Sequence, residues 1–159
     1  LYMNNMRRLS FFFIIIFLCN FFSTGCSFAS PAPVEMHPKW FPKDQYAITI
    51  FGIIYLPEKF YKEYKAEHKS LKVRSILVHE NVHAERQIEQ LFIPWTINYL
   101  VDKKFRWQEE SIACRAELLY IKANGATVKR EDFIKEVTAA RYGGMVNEKD
   151  AGEFFDSIK

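Results

Sequence analysis

In the stretch His79-Glu80-Asn81-Val82-His83, two imidazoles stand four residues apart with a carboxylate beside the first. On a helix, residues four apart lie on one face, so both rings point the same way and can take two positions on a single tetrahedral Zn²⁺. Glu80 lies one step round the helix. That brings it close to a metal-bound water without making it a ligand, as a general base requires. Ile76, Leu77, Val78 and Val82 give the motif the uncharged surroundings of a buried helix. The competing reading is a surface helix on which His79, Glu80, His83 and Arg86 form solvated pairs. A catalytic zinc site has three protein ligands and keeps one position open. The other histidines, His37 and His68, both precede the motif. His37 sits in a proline-punctuated stretch and reads as a surface residue. His68 reads as a solvated residue just ahead of the helix. Glu109 and Glu110 are better candidates for the third ligand; neighbours on a helix point about 100° apart, so only one of them can face the metal.

These side chains need elements to hold them. Ser70 is placed to cap a helix over LKVRSILVHENVHAERQIEQLF, which Pro94 would end. A second helix is predicted from about 94 to 102. A third runs from about 104 to 123, with Asn124-Gly125 as its stop. Thr127 would cap a fourth, through about 141, and Asn147 a short last helix ending near 158. Before all of them, Tyr46 to Leu56 (YAITIFGIIYL) is β-branched and aromatic and reads as one strand. Gly52 in its middle permits a bulge or the close approach of another backbone. The fold expected is α+β and mostly α-helical, with a small antiparallel sheet packed on the motif helix and the Glu110 helix beside it. Trp95, Phe105, Trp107, Leu118, Tyr99 and Tyr120 are assigned to packing.

HENVH, a spacer with a proline and aromatics, and then FRWQEESIACRAE resembles the gluzincin type of zinc metallopeptidase, over roughly residues 46–123. The resemblance implies a zincin-like fold in a minimal single-domain form, with one Zn²⁺ per chain. In that group a glutamate on a helix after the motif is the third ligand; Glu110-Ser111-Ile112-Ala113 matches that pattern, so the resemblance favours Glu110. Cys114 stands where the group often has an aspartate that supports a ligand histidine. The resemblance also implies that a peptide or protein substrate lies extended along the strand before the motif, with Gly52 and Ile53 next to it. The implied reaction is hydrolysis of peptide bonds by a zinc-activated water, with Glu80 as general base. A tyrosine or a histidine is the usual extra donor, and Tyr142, beside Gly143-Gly144, is the candidate.

Arg7 and Arg8, then FFFIIIFLCNFF, then Ser23-Thr24-Gly25-Cys26 describe a signal peptide over residues 1–26. Its apolar run of about a dozen residues is short of the roughly 20 needed to span a membrane. The exit resembles a lipobox, which would lipidate Cys26 and tether the chain to a membrane. Ser27-Phe28-Ala29 offers an ordinary cleavage site instead, releasing a chain from Ser30. Either route predicts an exported protein of the cell envelope or extracellular space. Residues 27–43 read as a linker and 44–159 as the domain. With Lys+Arg at 22 and Asp+Glu at 19, and two of the positive charges in the leader, the domain is nearly neutral and has no electrostatic footprint for nucleic acid. The alternative function is a non-catalytic envelope protein on the same fold, with a structural or decayed metal site. Such a site would have no use for Glu80.

Overall fold

The computed structural model describes residues 31–38, 46–139 and 143–158. The leader over 1–26, Cys26 and Tyr142 lie outside the described residues. Three short strands come first: β1 (Val34–Met36), β2 (Ile48–Ile50) and β3 (Ile53–Leu56). Six helices follow: α1 (Glu58–Lys65), α2 (Leu71–Glu89), α3 (Phe92–Val101), α4 (Lys103–Ala123), α5 (Arg130–Val137) and α6 (Glu148–Asp156). The fold is therefore α+β and mostly helical, with one three-stranded sheet.

The strand expected over 46–56 is a hairpin. Phe51 and Gly52 carry positive φ, 52° and 74°. Two successive positive φ values make the tight turn whose twist matches that of paired antiparallel strands. β2 and β3 pair across it, Ile50 with Ile53 and Thr49 with Ile54. Gly52 thus supplies turn geometry rather than a gap in a strand. Its N–H goes inward to the Gln87 side chain at 3.1 Å, and Ile53 is paired with Ile50. Neither residue presents the open strand edge that the substrate role assigned to them required.

Three further expectations are corrected. The sheet is mixed, because β1 pairs parallel with β3 in the order β1-β3-β2. β1 also lies inside the stretch read as a linker. Its prolines flank the strand rather than interrupt it, and Ala32 donates its N–H to the Asn81 side chain of α2 at 3.0 Å. His37 follows the strand. Its own N–H bonds the Leu56 carbonyl, and its ring Nε2 lies 3.2 Å from the Tyr55 carbonyl, so it is buried rather than at the surface.

Helix boundaries follow local chemistry. The Ser70 hydroxyl accepts from the Val73 N–H, and Asn147 accepts from the Asp150 N–H, both as expected of N-caps. α4 stops at Asn124, with Gly125 in the left-handed region. Pro94 does not end a helix. It sits in the first turn of α3, where its missing N–H would have no partner in the helix anyway. The break falls at Leu91, whose φ is 65°. Thr127 is not a cap, since α5 begins after Lys129. α1 adds to the expected elements; it starts directly behind Pro57, a residue whose fixed φ suits a helix entrance.

All described residues belong to one compact unit, Pro31–Lys159. It has two cores. Ile54, Leu56 and Ala84 join the sheet to α2, with α1 covering them through Phe60 and Tyr64. Cys114, Phe133, Val137, Met145 and Ala151 join α4 to α5 and α6. Full burial of a side chain such as Ile54 or Leu56 stabilises by roughly 1.5–3 kcal/mol. α2 and α4 pack along each other between the two cores, so each core sets the rotation of one of these helices about its axis.

Candidate metal centre

α2 uses two faces. His79, His83 and Arg86 face α4, while Glu80, Ala84 and Gln87 face the hairpin. On the first face, His79 Nε2 lies 3.1 Å from His83 Nε2, and Glu110 on α4 completes the group. One Glu110 oxygen is 3.4 Å from His79 Nε2 and the other 3.3 Å from His83 Nε2. Ligand atoms bonded at 2.0–2.1 Å to one tetrahedral Zn²⁺ stand about 3.3 Å apart. The three separations are close to that value, the two from the histidines ending on different Glu110 oxygens, and two nitrogens with one carboxylate are a donor set that suits zinc. His79, His83 and Glu110 therefore could hold a metal ion. The solvated surface helix is excluded, because Glu80, His83 and Glu110 are buried.

A carboxylate orients the first histidine. His79 Nδ1 lies 3.2 Å from Glu117, whose other oxygen accepts from the Ser75 hydroxyl at 3.0 Å. An N–H at Nδ1 donated to Glu117 leaves the Nε2 lone pair facing Glu110 and His83. The supporting group expected at position 114 is thus found at Glu117, one helical turn further on. Its spacing of seven from Glu110, two turns of α4, was the signal available in the sequence. Cys114 itself is buried against His79, and burial pushes its thiol up.

The cluster attracts positive charge. Burial works against protonation of His79, yet its hydrogen bonds to Cys114, Glu110 and Glu117 together hold its pKa well above 6.5. Burial would raise Glu110, but the charges and hydrogen bonds of His83 and His79 outweigh it and hold the carboxyl well below the usual carboxylate range. Glu117 is also lowered. Burial is again the largest influence and opposes the shift, while His79 and then Ser75 overcome it. Tyr99, assigned to packing, is in fact part of the centre; its hydroxyl donates to Glu110.

Glu109 faces elsewhere. Its carboxylate accepts two hydrogen bonds from Arg86, at 2.9 and 2.7 Å, one from Gln90 at 3.1 Å and one from the Trp95 indole at 3.0 Å. Burial pushes its pKa up, but these donors prevail and lower it. Glu109 is buried and occupied, so Glu110 is the glutamate in the cluster.

On the hairpin face, the Thr49 hydroxyl lies 2.7 Å from a Glu80 side-chain oxygen and 3.1 Å from the Glu80 backbone oxygen. The shorter contact takes its proton. Gln87 clamps the hairpin, donating to the Thr49 carbonyl at 2.8 Å and accepting from Gly52. Glu80 and His79 both open onto a cleft of about 520 Å³, which runs between α2, α4 and α5. Tyr46, Ile76, Leu118 and Phe133 line it, with Lys72 and Asp132. In comparisons with known proteins, no family model matches this chain, and no curated protein or solved structure is significantly similar to it.

Proposed function

We propose that this chain is a zincin-like metallopeptidase of the gluzincin type, exported or lipid-anchored, which hydrolyses peptide bonds. The observation that carries the proposal is one juxtaposition. His79, His83 and Glu110 bring donor atoms within 4.8 Å of one another, and His79 lines the same cleft as Glu80, a buried glutamate that is not among them. His79, His83 and Glu110 would hold the metal, and a bound Zn²⁺ supplies Lewis acidity and lowers the pKa of water toward about 7. The protein's own contribution is positional. Glu117 and Ser75 keep His79 in one tautomer. Thr49 holds the Glu80 carboxylate at the cleft, where it takes a proton from water and returns it to the leaving amine. The cleft, rather than the turn at Gly52 and Ile53, receives the substrate.

Glu80→Gln preserves shape and removes the base. Zinc content, measured on purified protein, should be retained, while peptide hydrolysis falls by roughly 10²–10⁴-fold. Loss of zinc in this variant would make Glu80 structural and end the mechanism. If zinc-loaded wild-type protein cleaves neither casein, a peptide library nor cell-wall peptides, the non-catalytic alternative replaces this reading. Export is tested separately, by the mass of the native protein. A chain beginning at lipidated Cys26 or at Ser30 supports it, and an intact leader in the cytoplasmic fraction refutes it.

A further inference from the structure

α3 carries apolar residues on two opposite faces. Its inner face carries Trp95 and Tyr99, which reach Glu109 and Glu110. Successive residues advance about 100°, so Ile93, Pro94, Ile97, Leu100 and Val101 occupy the opposite face. From Leu91 to Val101 there is no charged residue at all. The exposed Asn98 and half-buried Thr96 lie between the two faces, and an apolar face of a helix is normally packed against something. Here Leu91 is 65% exposed, Ile97 54%, Leu100 68% and Val101 74%.

A second observation falls on the same surface. Among the described residues, the non-glycine positions with positive φ are Phe51 and Leu91. Bulky apolar residues are poor choices for that backbone region, and the turn at Phe51 would ordinarily take Asn, Asp or Gly. Phe51 is nevertheless 60% exposed, and its ring stands edge-on to Phe92, the first residue of α3. Backbone strain thus coincides with outward display of a large side chain at both ends of one short path, Phe51–Phe92–Leu91. Strain of this kind is found where a structure serves a function.

We propose that this face, formed by Phe51, Leu91, Ile97, Leu100 and Val101, docks on an anionic lipid membrane. At 10 residues α3 is too short to cross a bilayer, and among the described residues no helix is long and apolar enough to do so. It would lie in the interface, as short apolar helix faces do. Lys103 and Lys104 come just after it, behind Asp102, whose carboxylate is engaged in accepting from the Lys104 and Phe105 N–H groups; both lysines are exposed and form no ion pair with another described residue, so they suit anionic headgroups. A second copy of the chain fits less well. Five side chains amount to a few hundred Å², short of the roughly 800 Å² per partner that a stable dimer buries. Because the inner face of the same helix touches the metal centre, docking would seat that centre close to the membrane surface.

The test uses the chain from Pro31 onward, the compact unit that holds both cores, so the N-terminal apolar run cannot contribute. It is sedimented with phosphatidylcholine vesicles, with and without phosphatidylserine. Wild-type protein should pellet with the anionic vesicles, and Leu100→Glu with Val101→Glu should reduce the bound fraction at least about tenfold. Lys103→Glu with Lys104→Glu should remove most of the preference for phosphatidylserine, since each lysine near a charged surface is worth roughly fivefold. If the glutamate variants lose their circular dichroism signal, Leu100→Ser with Val101→Ser carries the same expectation. Wild-type protein remaining in the supernatant overturns the proposal, as does a patch variant that binds like wild type. A wild-type dimer in lipid-free sedimentation equilibrium that Leu100→Glu splits also overturns it and assigns the face to a second copy.

Discussion

Glu109 and Glu110 are adjacent on α4, identical in type and both buried, yet they do opposite work. Around Glu109 the charges balance: one guanidinium, a carboxamide and an indole N–H supply four hydrogen bonds to one carboxylate. Around Glu110 they do not. Two imidazole nitrogens and the Glu110 carboxylate crowd within 3.1–3.4 Å, and a second carboxylate, Glu117, stands behind His79. Acceptor atoms gathered this closely out of water call for a cation, whether a proton or a metal ion. Glu109 is therefore a completed buried ion pair, whereas Glu110 belongs with His79 and His83 to a group that could hold a metal ion. The turn of about 100° between neighbouring residues separates the two roles.

The largest effect expected from breaking this comparison belongs to Glu110→Gln. A structural zinc site contributes roughly 10–16 kcal/mol in all, so losing one of its ligands should weaken zinc binding by about 10³-fold, measurable by competition with a chelator. The metal-free fold should survive. Glu109→Gln should do the reverse. Breaking the pair leaves Arg86 without its partner and should cost about 3 kcal/mol in denaturant unfolding, at the low end for a buried pair because Arg86 keeps 27% of its side chain exposed. Zinc affinity should hardly change.

Glu117→Gln sharpens the contrast with a smaller loss. His79 would keep its position while its support weakens, and zinc affinity should fall 10–100-fold, as is typical when an outer partner of a ligand histidine is altered. The smallest effect is in acid. The Glu109 pKa is lowered in the folded protein, so its contribution to stability is complete above the ordinary Glu value of 4.5. That contribution is lost as the pH falls through the lower folded value. Metal-free wild-type protein should lose stability across that window more steeply than Glu109→Gln, by at most about 1.4 kcal/mol per pH unit. Equal slopes would mean that the Arg86–Glu109 pair does not form in solution.

Much of α2 is legible in its residues alone. The 3.6-residue period puts His79 and His83 on one face and Glu80 on the next, because this relation is internal to one helix and needs no partner. Local chemistry also settles where Ser70 and Asn147 begin helices and where Gly125 ends one. The positive φ at Phe51 is not legible, because a bulky apolar residue carries no turn signal of its own. A continuous apolar run therefore reads as one strand when it is two. β1 is hidden for a related reason. It exists only through hydrogen bonds to β3, about 20 residues later, and its prolines argue locally for a linker.

What the sequence determined by itself was a pair of histidines with a base beside them and two glutamates of which one could join them. Which glutamate joins, that Glu117 rather than position 114 supports His79, and that Tyr99 reaches the centre depend on how α4 and α3 are rotated about their own axes. That rotation is set by packing against Phe133, Val137 and Ala151 on one side and by the Arg86–Glu109–Trp95 bonds on the other. Those contacts join residues far apart in the chain, so no local period or cap encodes them.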